Sequence, residues 1–109
     1  MATSNLRLEH INLPARDPVG LAAWYATTFG FTADAHRVRG DGVLFAFQRG
    51  DPVARPSDVH IGLRAPSRAA LAEWATKFGA EVHAGEEFAT FRVSDPEGNC
   101  VELYAPVSA

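Results

Sequence analysis

The chain has little of three features that would place it in other classes of protein. Its single cysteine, Cys100, cannot form a disulfide within the chain, so we expect a reducing compartment, the cytoplasm. No apolar run approaches the roughly 18 residues of a membrane-spanning helix, and residues 1–7 contain no apolar signal-peptide core. The 10 basic and 13 acidic residues are interspersed, which leaves no basic stripe. We therefore expect neither membrane nor nucleic acid as a partner.

What the sequence does contain is a repeat at an offset of fifty residues. His10-Ile11 recurs as His60-Ile61, Leu21-Ala22 as Leu71-Ala72, Trp24 as Trp74 and, after one deletion, Phe29-Gly30 as Phe78-Gly79. A repeat over half of a small domain indicates one supersecondary unit made twice. Equivalent residues of the two copies, above all His10 and His60, are then candidates for one shared site.

The first copy predicts a strand, a helix and at least two further strands. Residues 6–13 alternate between two faces as a strand does, and we expect Pro14 to end it. The helix is expected to begin after Asp17, its N-cap, and to end at Gly30. Further strands are expected at 31–39, as one or two, and at 43–48.

The second copy repeats this start and has a clearer end. Its strand is expected at 59–63 and its helix between Ser67, as N-cap, and Gly79. Three more strands are expected at 81–83, 88–94 and 99–104, the last two joined by a turn at 95–99. The pattern predicts an α+β fold of two βαβββ modules in one domain, at about 6–50 and 58–106, with a linker at 51–57.

Strand alternation places several polar residues on one face of the predicted sheets. Glu102 alternates with the apolar Val101 and Leu103, and the same argument sets His10 and His60 opposite Ile11 and Ile61. Two imidazoles and one carboxylate on rigid strands can bind a divalent metal and leave positions open for substrate. Asn12, Tyr104 and Arg92 are expected on the same faces as substrate-binding residues. Arg92 would favour an anionic or enolate-bearing ligand, or else be a surface arginine near the sheet edge.

Several segments resemble the vicinal oxygen chelate superfamily, which includes glyoxalase I, extradiol dioxygenases, fosfomycin-resistance enzymes and bleomycin-binding proteins. They are the strand with His10, the helix end Trp24–Phe31, the strand with His60, and Ser94–Tyr104 with its Asp-Pro-Glu-Gly-Asn turn. The resemblance implies a half-open barrel around a divalent ion, Fe, Mn, Ni or Zn, with His10, His60 and Glu102 as ligands.

The departures from this family pattern bear on activity. Glyoxalase I has a further carboxylate in its first module, where this chain has Ala46 or, by the fifty-residue offset, Pro52; neither accepts a proton. Ring-cleaving dioxygenases have a further histidine and a tyrosine near the metal ligands. In the corresponding region this chain has His83 and, instead of a tyrosine, Arg92, and these two are the catalytic candidates. We expect a metal-dependent lyase or ring-cleaving dioxygenase-type enzyme acting on a small molecule. The alternative is a metal-free binding protein of the bleomycin-resistance type, and either is expected to be a homodimer.

Overall fold

The computed structural model of the chain describes residues 4–52 and 59–108. The expected linker therefore lies outside the described residues from position 53 onward, as does Asp58. The chain divides into two compact units, Met1–Ala54 (unit 1) and Arg55–Ala109 (unit 2). Within the described ranges, neither helix is long and apolar enough to cross a membrane.

The two units have the same order of elements. Unit 1 contains β1 (His10–Ala15), α1 (Pro18–Phe29), β2 (Thr32–Asp34), β3 (Arg37–Gly40) and β4 (Val43–Arg49). Unit 2 contains β5 (Ile61–Arg64), α2 (Arg68–Phe78), β6 (His83–Ala84), β7 (Phe88–Ser94) and β8 (Cys100–Pro106). The sheet orders are β1-β4-β3-β2 and β5-β8-β7-β6, each with one parallel pair, β1 with β4 and β5 with β8. The predicted α+β fold of two βαβββ modules is thus confirmed.

The helix boundaries follow the predicted capping residues. The Asp17 side chain accepts a hydrogen bond from the Gly20 N–H at 3.0 Å, and Pro18 occupies the first turn of α1. The Ser67 hydroxyl accepts from the Ala70 N–H at 3.1 Å at the start of α2. Both helices end at a glycine in the left-handed conformation, with φ of 78° and 63°.

One face of each sheet packs on its own helix and forms the core of that unit. In unit 1, the fully buried Tyr25 of α1 packs against Phe45 and Phe47 of β4, with ring centroids 5.6 and 5.8 Å away. In unit 2, α2 packs on β7 and β8, and the side chains buried there are Leu71, Ala75, Phe91, Val101 and Leu103. The opposite face of each sheet carries the polar residues of the strands, as the alternation predicts.

The boundaries of several strands differ from the sequence prediction. Pro14 lies inside β1 and does not end it, because β1 is an edge strand and its outer side needs no hydrogen-bond donor. Residues 6–9 precede the strand, and residues 31–39 divide between two short strands, the exposed β2 and β3 with its buried Val38. In unit 2, β5 starts after His60, β6 is displaced to His83–Ala84, and β8 extends to Pro106.

Candidate functional site

The register of unit 2 places Glu102 at the centre of its polar face. Glu102 lies on β8 between Gly62 of β5 and Arg92 of β7, its cross-strand partners. Its chain neighbours Val101 and Leu103 are buried on the helix side of the sheet. The Glu102 side chain keeps 19% of its surface exposed, so the carboxylate is half-buried yet accessible to a ligand.

Two side chains contact this carboxylate, one on each oxygen. His60 Nε2 lies 3.4 Å from Glu102 Oε1, and Arg92 Nε donates to Glu102 Oε2 at 3.4 Å. Gly62 lies beside Glu102 on β5 and has no side chain, so nothing from this position obstructs the approach of His60. A Cβ atom at Gly62 would meet Tyr104 Cε1 at 3.7 Å, an ordinary van der Waals contact.

The spacing of these donor atoms fits two ligands of one ion. Nitrogen and oxygen donors each about 2.1 Å from an ion in tetrahedral geometry lie about 3.4 Å from each other. The His60–Glu102 distance of 3.4 Å matches that spacing. Arg92 is bound to the second carboxylate oxygen, which orients Glu102 with Oε1 towards His60. Among the described residues, no cluster of three or more His, Cys, Asp or Glu side chains is assembled.

His10, the third expected ligand, is the first residue of β1 in unit 1. Its Nδ1 atom lies 2.9 Å from Glu9 Oε1, and the two side chains are 54% and 63% exposed. An Nδ1–H group that donates to a carboxylate leaves Nε2 as the free lone pair, the arrangement usual in metal-binding histidines. If His10 binds a metal, the Glu9 carboxylate would hold its imidazole in the required tautomer; sequence reasoning missed this contact.

The unit 1 register identifies the residue equivalent to Glu102. Ala46 of β4 lies between Asn12 of β1 and Arg37 of β3, as Glu102 lies between its own neighbours on β5 and β7. Pro52 follows β4 and belongs to no strand, which removes the fifty-residue alternative. Unit 1 therefore has a methyl group where unit 2 has a carboxylate. Asn12 donates from Nδ2 to Gln48 Oε1 at 3.0 Å on the same face.

The remaining candidates lie on the unit 2 face around Glu102. Tyr104 follows Glu102 by two residues on β8, and its ring packs edge-on against Phe88 with centroids 5.7 Å apart. His83 begins β6, pairs with Thr90 and is exposed. An open cleft of about 410 Å³ runs beside it, lined by Ala80, Glu81, His83, Thr90, Phe91 and Arg92. The expected catalytic candidates His83 and Arg92 therefore share one cleft.

The Asp-Pro-Glu-Gly-Asn turn has a structural role. The carboxylate of Asp95, only 4% exposed, accepts hydrogen bonds from the Glu97 and Asn99 N–H groups, both at 2.9 Å, and from Asn99 Nδ2 at 2.7 Å. Gly98 adopts a φ of 87°, which favours glycine. This turn fixes the register of β7 against β8, and the register sets Arg92 opposite Glu102.

Comparisons with known proteins identify the family to which the chain belongs. The family described as Glyoxalase-like domain matches residues 10–104. Among solved structures, a possible glyoxalase from Bacillus cereus is 23% identical with a TM-score of 0.70, covering 90% of this chain and 97% of its own. Lactoylglutathione lyase from Agrobacterium tumefaciens is 20% identical with a TM-score of 0.66, covering 95% and 96%.

A glyoxalase/bleomycin resistance protein/dioxygenase from Alicyclobacillus acidocaldarius is also 20% identical, with a TM-score of 0.66 and coverage of 97% and 95%. Among curated protein sequences, none matches this chain. At these identities the solved structures establish the fold alone. The family match covers nearly all of the two modules, and the chain therefore belongs to the glyoxalase-like domain family of the vicinal oxygen chelate superfamily.

Proposed function

We propose that this protein is a divalent-metal-dependent enzyme acting on a small molecule, with His10, His60 and Glu102 as the protein ligands. The observation that carries the proposal is the 3.4 Å separation of His60 Nε2 and Glu102 Oε1 on one sheet face. The orientation of Glu102 by Arg92 and the Glu9 contact to His10 support it, because both are typical of residues that surround metal ligands.

The residues around the ligands have separable roles in this proposal. A bound divalent ion would polarise neighbouring substrate oxygens and stabilise enolate-like negative charge. Arg92 holds the Glu102 carboxylate and adds positive charge beside the substrate. Asn12 and Tyr104 supply hydrogen-bonding groups that orient the substrate. His83, in the cleft beside Arg92, is the candidate to move a proton through its imidazole nitrogens.

The unit 1 register bears on the reaction class. A glyoxalase-type proton shuttle needs a base at the position that Ala46 occupies, and a methyl group cannot accept a proton. Two histidines and one carboxylate without this base are more like the ligand set of ring-cleaving dioxygenases. We therefore favour a ring-cleaving dioxygenase-type or lyase activity over lactoylglutathione formation.

The second candidate is a metal-free protein that sequesters a small molecule, as bleomycin-binding relatives do. The exposed cleft beside β6 and β7 is compatible with either function. The two differ at the ligand positions, since a sequestering protein has no need of the His60–Glu102 pair.

We also propose a homodimer. Leu6 and Leu8, which precede the edge strand β1 in the chain, are 83% and 73% exposed, and a second copy would cover such apolar surface.

The test is a substrate screen on protein purified without an affinity tag. The protein is reconstituted anaerobically with Fe(II), Mn(II), Ni(II) or Zn(II), and oxygen uptake and product formation are followed with catechols and other vicinal-oxygen compounds. We expect metal-dependent turnover that His60→Ala abolishes. His36→Ala, which changes an exposed histidine in the β2–β3 turn, should retain it. Tight ligand binding without metal or turnover would favour the sequestering protein instead.

A further inference from the structure

The sheet of unit 1 carries an arginine in the place that Arg92 occupies in unit 2. Arg37 is the cross-strand partner of Ala46, as Arg92 is the partner of Glu102. In unit 2 the guanidinium is paired with the carboxylate at 3.4 Å. In unit 1 the residue opposite the guanidinium has no charge. The same structural position therefore holds an ion pair in one unit and an arginine facing an alanine in the other.

A second arginine adds to this positive face. Arg39 lies two residues along β3 on the same side, opposite Leu44 of β4 and Thr32 of β2. Asp34 is the β2 partner of Arg37. Within residues 4–52 and 59–108, however, no carboxylate oxygen lies within 4.0 Å, the limit for an ion pair, of a guanidinium nitrogen of Arg37 or Arg39. Among the described residues, neither arginine is therefore held in an ion pair, and the single Asp34 carboxylate on this face leaves the two arginines with a net positive charge.

Amide groups flank the same place. Asn12 lies across β1 from Ala46, and Gln48 follows Ala46 by two residues on the same face. Asn12 Nδ2 donates to Gln48 Oε1 at 3.0 Å, which uses the acceptor of the Gln48 amide and leaves its N–H donors for a ligand. The Ala46 methyl group fills much less of this face than the glutamate at the equivalent position of unit 2.

We propose that this face of unit 1 binds an oxyanion, a carboxylate or phosphate group of a small molecule, with Arg37 as the principal contact. A guanidinium presents two parallel N–H groups to such an anion, and the pair is stronger than a neutral hydrogen bond. Arg39 adds charge, and Gln48 supplies a neutral donor. The inference rests on the proposed function only in that the anion would belong to the small molecule on which the enzyme acts.

The experiment is an NMR titration of the full chain in the presence of EDTA, so that no metal contributes. The probes are benzoate, inorganic phosphate and, as an uncharged match for benzoate, benzamide. We expect saturable shifts in the amide signals of β3 and β4 with at least one of the two anions and none with benzamide. Whichever anion binds more tightly identifies the group that the site prefers.

Three variants locate the site. Arg37→Gln should weaken anion binding about tenfold, because it removes a charged hydrogen-bonding partner. Ala46→Glu should weaken it comparably, since it places the unit 2 carboxylate opposite the arginine. Arg7→Gln, which removes the same charge from an exposed arginine ahead of β1, should change affinity by less than about twofold.

The proposal is overturned if neither anion binds saturably, if benzamide binds as well as benzoate, or if Arg37→Gln and Arg7→Gln have equal effects. Far-UV circular dichroism checks that each variant is folded. Arg37→Lys is a second substitution at this position. It retains the positive charge without the planar guanidinium and should lose part of the affinity for the anion. Because the titration is metal-free, its failure leaves the proposed metal site untouched. Loss of metal binding in that site likewise leaves this titration intact.

Discussion

Asp95→Ala removes the buried carboxylate that organises the turn between β7 and β8. The lost hydrogen bonds include those from the Glu97 N–H, the Asn99 N–H and Asn99 Nδ2, at distances of 2.7–2.9 Å. Hydrogen bonds to a charged group contribute about 1.5–3 kcal/mol each, and Asn99, which is 3% exposed, keeps donors that water cannot easily reach. Allowing for partial relaxation of the turn, we expect a loss of about 3–5 kcal/mol in the free energy of unfolding.

Urea denaturation followed by circular dichroism measures this loss. With a denaturant slope of about 1.5 kcal/mol per molar, the midpoint should fall by about 2–3 M. The matched control is Asp41→Ala in the equivalent β3–β4 turn of unit 1, where the aspartate is exposed and the change should stay within about 0.5 kcal/mol. Equal effects of the two substitutions would refute the assignment of Asp95 as the organiser of its turn.

Three further outcomes are expected. Gly98→Ala should destabilise the protein by about 1–2 kcal/mol in the same assay, because φ is 87°; a loss no larger than that of Gly62→Ala would contradict this. Incubation with methylglyoxal and glutathione should give negligible lactoylglutathione, because Ala46 cannot act as base, and robust turnover would reveal another base. Light scattering should detect a dimer, and a monomer would refute this prediction. His10→Ala and Glu102→Ala chains that are mixed and refolded together should regain metal binding only if a site takes ligands from two chains.

The repeat and the caps made most of the fold predictable from sequence. The helices begin and end at the expected residues, Asp17 and Gly30 for α1 and Ser67 and Gly79 for α2. A cap needs only one side chain or one left-handed residue at a fixed position. The division of residues 31–39 was not predictable, since β2 and β3 are only three and four residues long and Val38 is the one buried side chain among their described residues. Pro14 was misread because a proline stops an inner strand but is tolerated in an edge strand.

The site was predictable where alternation alone decides the direction of a side chain. Glu102 and Arg92 lie on the polar face of unit 2 for that reason. The equivalence of Arg37 with Arg92 was missed because the offset between the units changes along the chain. The offset is fifty residues for the first strand of each unit and 55 residues for the strand that carries the arginine. Only the strand register shows that Arg37 and Arg92 are equivalent. The contact of Glu9 with His10 depends on side-chain rotamers, which no sequence pattern fixes.

The central claim is that His60 and Glu102 are metal ligands, and the metal content of the protein tests it most directly. Tag-free protein is reconstituted with each divalent ion, desalted and measured by elemental analysis. We predict about one ion per chain, and binding at least about 100-fold weaker for His60→Ala and Glu102→Ala. Glu73→Ala, at an exposed carboxylate on α2, should keep the full content. Full metal occupancy in both His60→Ala and Glu102→Ala would contradict the account.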